Sequence, residues 1–355
     1  VKEEILLPNG TPKTPKTKSR RRALLVQYKS IGDTLLLEPL VRSLREAGWH
    51  VSLGALPSCV PAAQLTRADS ILVWRSGFGA VRNIIEIASA GFDVCIDAGG
   101  TDRCMLAAIA CRAPIRILPA RFRKFRTRKL VYNRFVETSV MDRHTIDHLL
   151  DLLAPLGVPP VSPPVMRLDA SKLPALEDSP VTALLAGTSY VVCHVGAARP
   201  EKFWSVTKWT ELLSALLAER PGLRIVLTGA MGERETKQRQ AICEAIPEAV
   251  DLGGKCDLAL TAAVFRGAAL VITVDSMSVH LASGLGAATL ALFGPTNPKN
   301  WGPRGLRCAS VQDQTAHTDP EAFPRGNPTS LSVGLIPVSL ALETALKLMS
   351  PSSGA

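Results

Sequence analysis

Residues 270–298 read LVITVDSMSVHLASGLGAATLALFGPTNP, and the rest of the chain is best read outward from them. Leu270–Val274 is a β-branched run of the kind that makes a buried parallel strand. Asp275 and Ser276 stand at its carboxyl end, followed by a small-residue helical segment over Ser278–Leu285. A second apolar strand, Ala288–Phe293, enters the turn Gly294-Pro295-Thr296-Asn297-Pro298. In open α/β sheets, ligands bind outside the carboxyl ends of the strands, where helix N-termini can meet an anion. Two such ends carrying Asp275, Ser276, His280 and Thr296 predict a ligand floor.

The same alternation extends through both halves. Strands are predicted at Ala23–Gln27, His50–Leu53, Ile71–Trp74, Asp93–Ile96 and Ile115–Leu118. A Leu-rich helix follows the first strand and stops at Gly48; others cover Cys104–Cys111 and Thr145–Leu153. In the second half, strands Tyr190–His194 and Arg224–Thr228 alternate with helices Thr207–Glu219, Glu233–Ala245 and Lys255–Phe265, and Ile336–Leu348 closes the chain as a helix. This pattern predicts an α/β protein of two doubly wound domains with a cleft between them. The expected division is a flexible basic arm over 1–22, a first domain over 23–154, a connection over 155–186 and a second domain over 187–355. The connection contains seven prolines, which stop regular structure.

At 355 residues the chain can bury two ordinary cores. Apolar content of 46% with 20% charged residues excludes a disordered chain. No apolar run is long enough for a transmembrane helix, and a secretory signal is not expected, so the predicted location is cytoplasmic. Eight cysteines without CxxC spacing read as buried free thiols. The net charge of +10 is local: Lys13–Arg22 holds six basic residues and Arg103–Arg134 ten, with no acid in either stretch. Setting those sixteen charges aside turns +10 into −6, so the body is mildly acidic. Local basic charge predicts an anionic partner.

Three side chains outside the floor, and His280 within it, stand where chemistry is done. Asp33 follows Gly32 at the end of the first strand, either as a helix cap or as a general base facing the cleft. Lys202 lies on the loop after Tyr190–His194, either solvated or placed as a point charge beside an anionic leaving group. Glu233 opens a helix after Gly229 and Gly232, suited to the helix dipole or to ribose hydroxyls. His280 is either a packing group or part of the site. No HExxH or His/Cys cluster accompanies it, and GxSxG, Walker A and GxGxxG are all absent, so no metal and no bound cofactor is expected. The basic run contributes Arg121, Arg123, Lys124 and Arg126.

Ser30-Ile31-Gly32-Asp33, Lys202-x-Trp204, Asp275-Ser276-x-x-x-His280-Leu281-Ala282 and Phe293-Gly294-Pro295-Thr296-Asn297-Pro298 together resemble glycosyltransferase family 9 over about residues 23–305. Its best-known members are ADP-heptose:lipopolysaccharide heptosyltransferases. The resemblance implies two Rossmann-like domains facing a cleft (the GT-B type) and an inverting, metal-independent sugar transfer from a nucleotide-sugar donor, ADP-heptose being favoured. It makes Asp33 the base and puts Lys202 at the donor diphosphate, Glu233 at the ribose and Asp275 at the donor sugar. Ser276, His280 and Thr296 fall in motifs round the donor. It also implies a lipopolysaccharide-core acceptor whose anions meet Arg121, Arg123, Lys124 and Arg126, at the inner face of the inner membrane. No nucleic acid is expected. The other readings are a GT-B transferase using another nucleotide sugar or a non-lipid acceptor, a nucleotide-sugar epimerase, and a non-enzymatic nucleic-acid binder. Four positions depart from the family pattern: Ala197 and Ala198 where hydroxyl residues are common, Met277 where glycine is usual, and Cys256 where methionine is frequent.

Overall fold

The computed structural model describes residues 20–350 except 78, 140–142, 177, 178, 180, 182–184, 186 and 313–332. The expected basic arm therefore lies outside the described residues up to position 19, as does Pro180 of the connection.

Twelve strands form two six-stranded parallel sheets among the described residues. The first contains β1 (Arg22–Val26), β2 (His50–Ala55), β3 (Ser70–Val73), β4 (Val94–Asp97), β5 (Ile115–Pro119) and β6 (Arg134–Val136), in the order β3-β2-β1-β4-β5-β6. The second contains β7 (Tyr190–His194), β8 (Arg224–Thr228), β9 (Val250–Asp251), β10 (Leu270–Val274), β11 (Thr289–Phe293) and β12 (Cys308–Gln312), in the order β12-β11-β10-β7-β8-β9. Each sheet thus winds outward in both directions from its first strand. Leu24 pairs with Ser52 on one side and Cys95 on the other; Ile272 pairs with Cys193 and Leu290. The order reverses between β1 and β4 and between β7 and β10, and ligands bind at such switch points.

The long, fully buried strands follow the predicted apolar runs, and the departures have local causes. β6, β9 and β12 were not predicted: they are edge strands, short or partly exposed, and carry little apolar pattern. The Leu-rich helix is two helices, Ile31–Leu35 and Glu38–Glu46, because Pro39 has no N–H to continue the ladder. The helix predicted from Thr145 is α-helical only to Leu150 and continues as a 3₁₀ turn over Asp151–Leu156, which Gly157 ends at φ +63°. The helix predicted at Lys255–Phe265 runs Leu258–Gly267, since Asp257 accepts from Leu260 N and sets its start. Arg20–Arg22, assigned to the arm, belong to the fold: Arg22 opens β1, and the Arg21 guanidinium lies 4.3 Å from the Trp49 ring centroid.

One buried apolar cluster runs without a break from Leu25, Leu40 and Ile96 to Val192, Val264 and Leu281, so the two sheets share a core. A second, built on Trp204, Trp209, Leu212 and Ile272, covers the other face of the second sheet. A third covers the other face of the first sheet with Leu24, Tyr28, Cys95 and Ala107. The connection ties both halves: Met166 N donates to Arg304 O and Leu168 N to Gly284 O, while Asp169 N donates to Leu65 O. His144 Nε2 meets Gly302 O at 2.9 Å, and Arg304 pairs with Asp147 at 2.8 Å.

Candidate active site

The first wall of the cleft grows from the end of β1. Ser30 adopts an extended conformation and caps helix Ile31–Leu35, its Oγ accepting from Asp33 N at 3.2 Å. The same hydroxyl donates to Asp33 Oδ2 at 2.7 Å. The cap is therefore Ser30, and Asp33 stands one turn in, half-buried, with one carboxylate oxygen already oriented. Gly32 faces the opposite wall at ordinary contact distance. A Cβ there would lie 3.5 Å from His280 Cδ2 and 3.6 Å from Met277 Cα.

The opposite wall is built at the ends of β7 and β10. Asp275 leaves β10 with its N–H bonded to Leu292 O, and its Oδ2 lies 2.6 Å from Lys202 Nζ. Lys202 ends the 3₁₀ turn Pro200–Lys202, and the paired side chains are only 12% and 11% exposed. Ser276 starts helix Met277–Gly284 in extended conformation, but no side chain caps that N-terminus. The Ser276 hydroxyl instead contacts Ser278 Oγ at 2.5 Å, and Ser278 meets Thr273 Oγ1. Uncapped helix N–H groups beside an ammonium make an anion site.

Lys202, Asp275, Ser276 and His280 line one cavity of about 620 Å³ together with Asp33, and Ser30, Ala197, Ala198, Cys256 and Met277 border it as well. Glu233 does not. Its side chain is 81% exposed and pairs with Lys237 at 2.7 Å. Glu235, two residues later, turns back into the cavity and accepts from Ala230 N at 2.6 Å. Arg239 lies 4.0 Å behind it, held by Asp251 and the Ala230 carbonyl. Gly196 is required against this carboxylate: a Cβ there would come within 2.1 Å of Glu235 Oε2. Thr296 also falls outside the lining, its carbonyl accepting from Gln312 Nε2 at 3.3 Å, while Trp301 reaches the cavity from the next helix. Arg121, Arg123, Lys124 and Arg126 are exposed beyond the end of β5 and do not line the cavity.

Sequence reading did not single out His194 or Trp301. His194 ends β7, with Nδ1 3.0 Å from Thr228 Oγ1, and its position at the switch point is the signal that would have marked it. Burial pushes His194 down to about 4 and His280 to about 3, the charges of His144 and Lys202 adding to the latter. His144 and His148 are also pushed down to about 4, chiefly by burial. All four are neutral in the folded protein near pH 7, while unfolded histidine takes a proton near 6.5. Their contribution is complete above that value and is lost as the pH falls toward 4. Acidification from pH 7.5 to 5.5 is expected to cost about 1 kcal/mol for each histidine. A melting temperature unchanged over that range would contradict the neutral assignment.

Two Rossmann-like domains turning their switch points to one cleft make the GT-B architecture. The model of glycosyltransferase family 9 (heptosyltransferase) matches residues 82–321. The chain belongs to this family and is a glycosyltransferase. It is 27% identical over 306 residues to lipopolysaccharide heptosyltransferase 1 of Pseudomonas aeruginosa, covering 80% of this chain and 81% of that one. With lipopolysaccharide heptosyltransferase 1 of Escherichia coli it shares 26% over 325 residues, covering 85% and 97%. A match to the Salmonella typhimurium protein of the same name, 29% over 133 residues, spans only 41% of that protein. Among solved structures, E. coli ADP-heptose heptosyltransferase II superposes with a TM-score of 0.72 at 17% identity, covering 92% and 98% of the two chains. E. coli heptosyltransferase WaaC with ADP gives 0.70 at 19%, covering 93% and 100%. At these identities the superpositions speak to the fold.

Proposed function

We propose that the chain transfers a heptose from ADP-heptose to an anionic lipopolysaccharide-core acceptor, with inversion and without a metal ion. The observation that carries this reading is that Asp33 and the Lys202–Asp275 pair, from different sheets, line one cavity. The names of the curated relatives support the sugar and the acceptor. In this mechanism Asp33 takes the proton of the acceptor hydroxyl as its oxygen forms the bond to the anomeric carbon. The bond from that carbon to the donor phosphate breaks on the opposite face, and the diphosphate leaves with the electron pair. Lys202 and the uncapped N-terminus of Met277–Gly284 receive the charge that develops there. Asp275 holds Lys202 and faces the donor sugar, where Met277 narrows the space available.

Glu235 replaces Glu233 as the residue proposed at the ribose, because it is the acid that faces the cavity. Glu235→Ala is expected to weaken ADP binding about tenfold by calorimetry, the scale of one charge-assisted hydrogen bond. Glu233→Ala leaves it unchanged; the reverse order would restore the original assignment. Arg121, Arg123, Lys124 and Arg126 remain proposed for acceptor anions at the rim, and the enzyme is placed at the cytoplasmic face of the inner membrane. The deciding experiment compares ADP-, UDP-, GDP- and TDP-linked sugars by thermal shift, then tests the best for turnover with a core acceptor. Stabilisation by a UDP sugar alone would overturn the donor.

A further inference from the structure

Helices Gly79–Ser89, Asp102–Ala110 and Arg126–Val131 follow β3, β4 and β5. Parallel strands joined by right-handed crossovers place these helices on one face of the first sheet. Ile87, Cys104 and Ala107 point down from this layer onto Leu24 and Val26, away from the core shared with the second sheet. The outward stripes are also apolar. Val81, Ile84 and Ile85 project from the first helix, Leu106 and Ile109 from the second and Leu130 from the third. Ile85 is 62% exposed and Leu130 86%. Seven of the eleven large apolar side chains exposed among the described residues lie on these helices or on Phe125 just before the third. A patch concentrated in this way marks a contact surface.

Its charge identifies the contact. Exposed Arg103, Arg112, Arg123, Lys124, Arg126 and Lys129 surround the apolar stripes. Of the acids on these three helices, Asp102 is already paired with Arg128 at 2.8 Å, which leaves Glu86 on the first. We propose that this helical face docks on an anionic phospholipid bilayer, the apolar stripes entering the headgroup boundary and the basic residues meeting lipid phosphates. A second copy would bring like charges together across the symmetry axis, and a nucleic acid would leave the apolar stripes unused. Among the described residues no helix is long and apolar enough to cross a membrane, so the contact is superficial. The docked face runs to the basic turn at the end of β5, at the same strand ends as Asp33. The inference rests on the proposed function only in making the acceptor lipid-linked.

The test uses acceptor-free vesicles of phosphatidylglycerol and phosphatidylcholine, with pure phosphatidylcholine for comparison, and co-sedimentation of the full chain. Binding is expected to the anionic vesicles and to weaken on going from 0.1 to 0.5 M salt. The Ile85→Glu/Leu130→Glu double variant is expected to bind at least about tenfold less, since it removes two apolar anchors and adds two repelled charges. Both sites are exposed, so the variant should melt as the wild type does and keep its turnover on a soluble core fragment. Equal binding to both vesicle types, or a double variant that binds like the wild type, overturns the proposal. So does a double variant that changes the protein from dimer to monomer in sedimentation, because the face is then a contact between copies. Vesicle binding without sugar transfer upholds the surface and counts against the transferase reading; transfer without vesicle binding does the opposite.

Discussion

Asp33→Asn is expected to lower sugar transfer by about 10²–10⁴-fold, the range carried by a positioned general base. The substitution keeps the shape and keeps an oxygen that can accept from Ser30, whose hydroxyl now donates to Asp33 Oδ2 at 2.7 Å. It removes the group that can take the acceptor proton. Asp33 stands on the wall opposite the Lys202–Asp275 pair, so ADP affinity by calorimetry should stay within about twofold of wild type. Ser30→Ala separates orientation from chemistry: it deletes the cap and the donor to the carboxylate but leaves the base. A tenfold loss of rate, with about 1 kcal/mol of stability for the cap, is the expected scale. Retained turnover in Asp33→Asn would move the base elsewhere in the cleft, and comparable loss of ADP binding would make Asp33 a donor residue.

The fold was legible where a single segment carries its own pattern. Leu270–Val274 and Tyr190–His194 emerge with their predicted bounds because strands buried on both faces are apolar throughout. β6 and β9 were not legible, since three- and two-residue edge strands are fixed by their neighbours rather than by their own composition. The site divides in the same way. Lys202, Asp275 and Ser276 sit at strand ends or in the turns after them, and Asp33 and His280 in the opening turns of the helices that follow, positions that alternation alone locates, and the fold brings them together. Glu233 and Glu235 occupy the same first helical turn, and no local rule says which turns inward. That is settled by Ala230 N, by Arg239, and by the missing side chain of Gly196, which lies more than thirty residues away. Thr296 shows the complementary case. A polar residue in the right turn can present its backbone rather than its hydroxyl to the rest of the structure, as its carbonyl does to Gln312.

Lys202→Met carries the second large effect, and it acts on the donor half. The lysine and Asp275 are almost equally buried and lie 2.6 Å apart, so removing one leaves the other's charge without its partner. Breaking a buried pair costs about 3–5 kcal/mol, and their 11–12% residual exposure places this pair toward the lower end. The unpaired carboxylate would then face the diphosphate, adding repulsion to the loss of an attractive charge. ADP affinity is therefore expected to fall by at least about 10²-fold, more than one charge-assisted hydrogen bond accounts for. Asp275→Asn in the Lys202→Met background removes the stranded charge. That double variant should recover most of the melting temperature and part of the ADP affinity, but not turnover, because nothing then meets the leaving group's charge from that position. A double-mutant cycle measures the coupling directly. If the two substitutions simply add, Lys202 and Asp275 act independently, and the pair is not the unit that holds the donor.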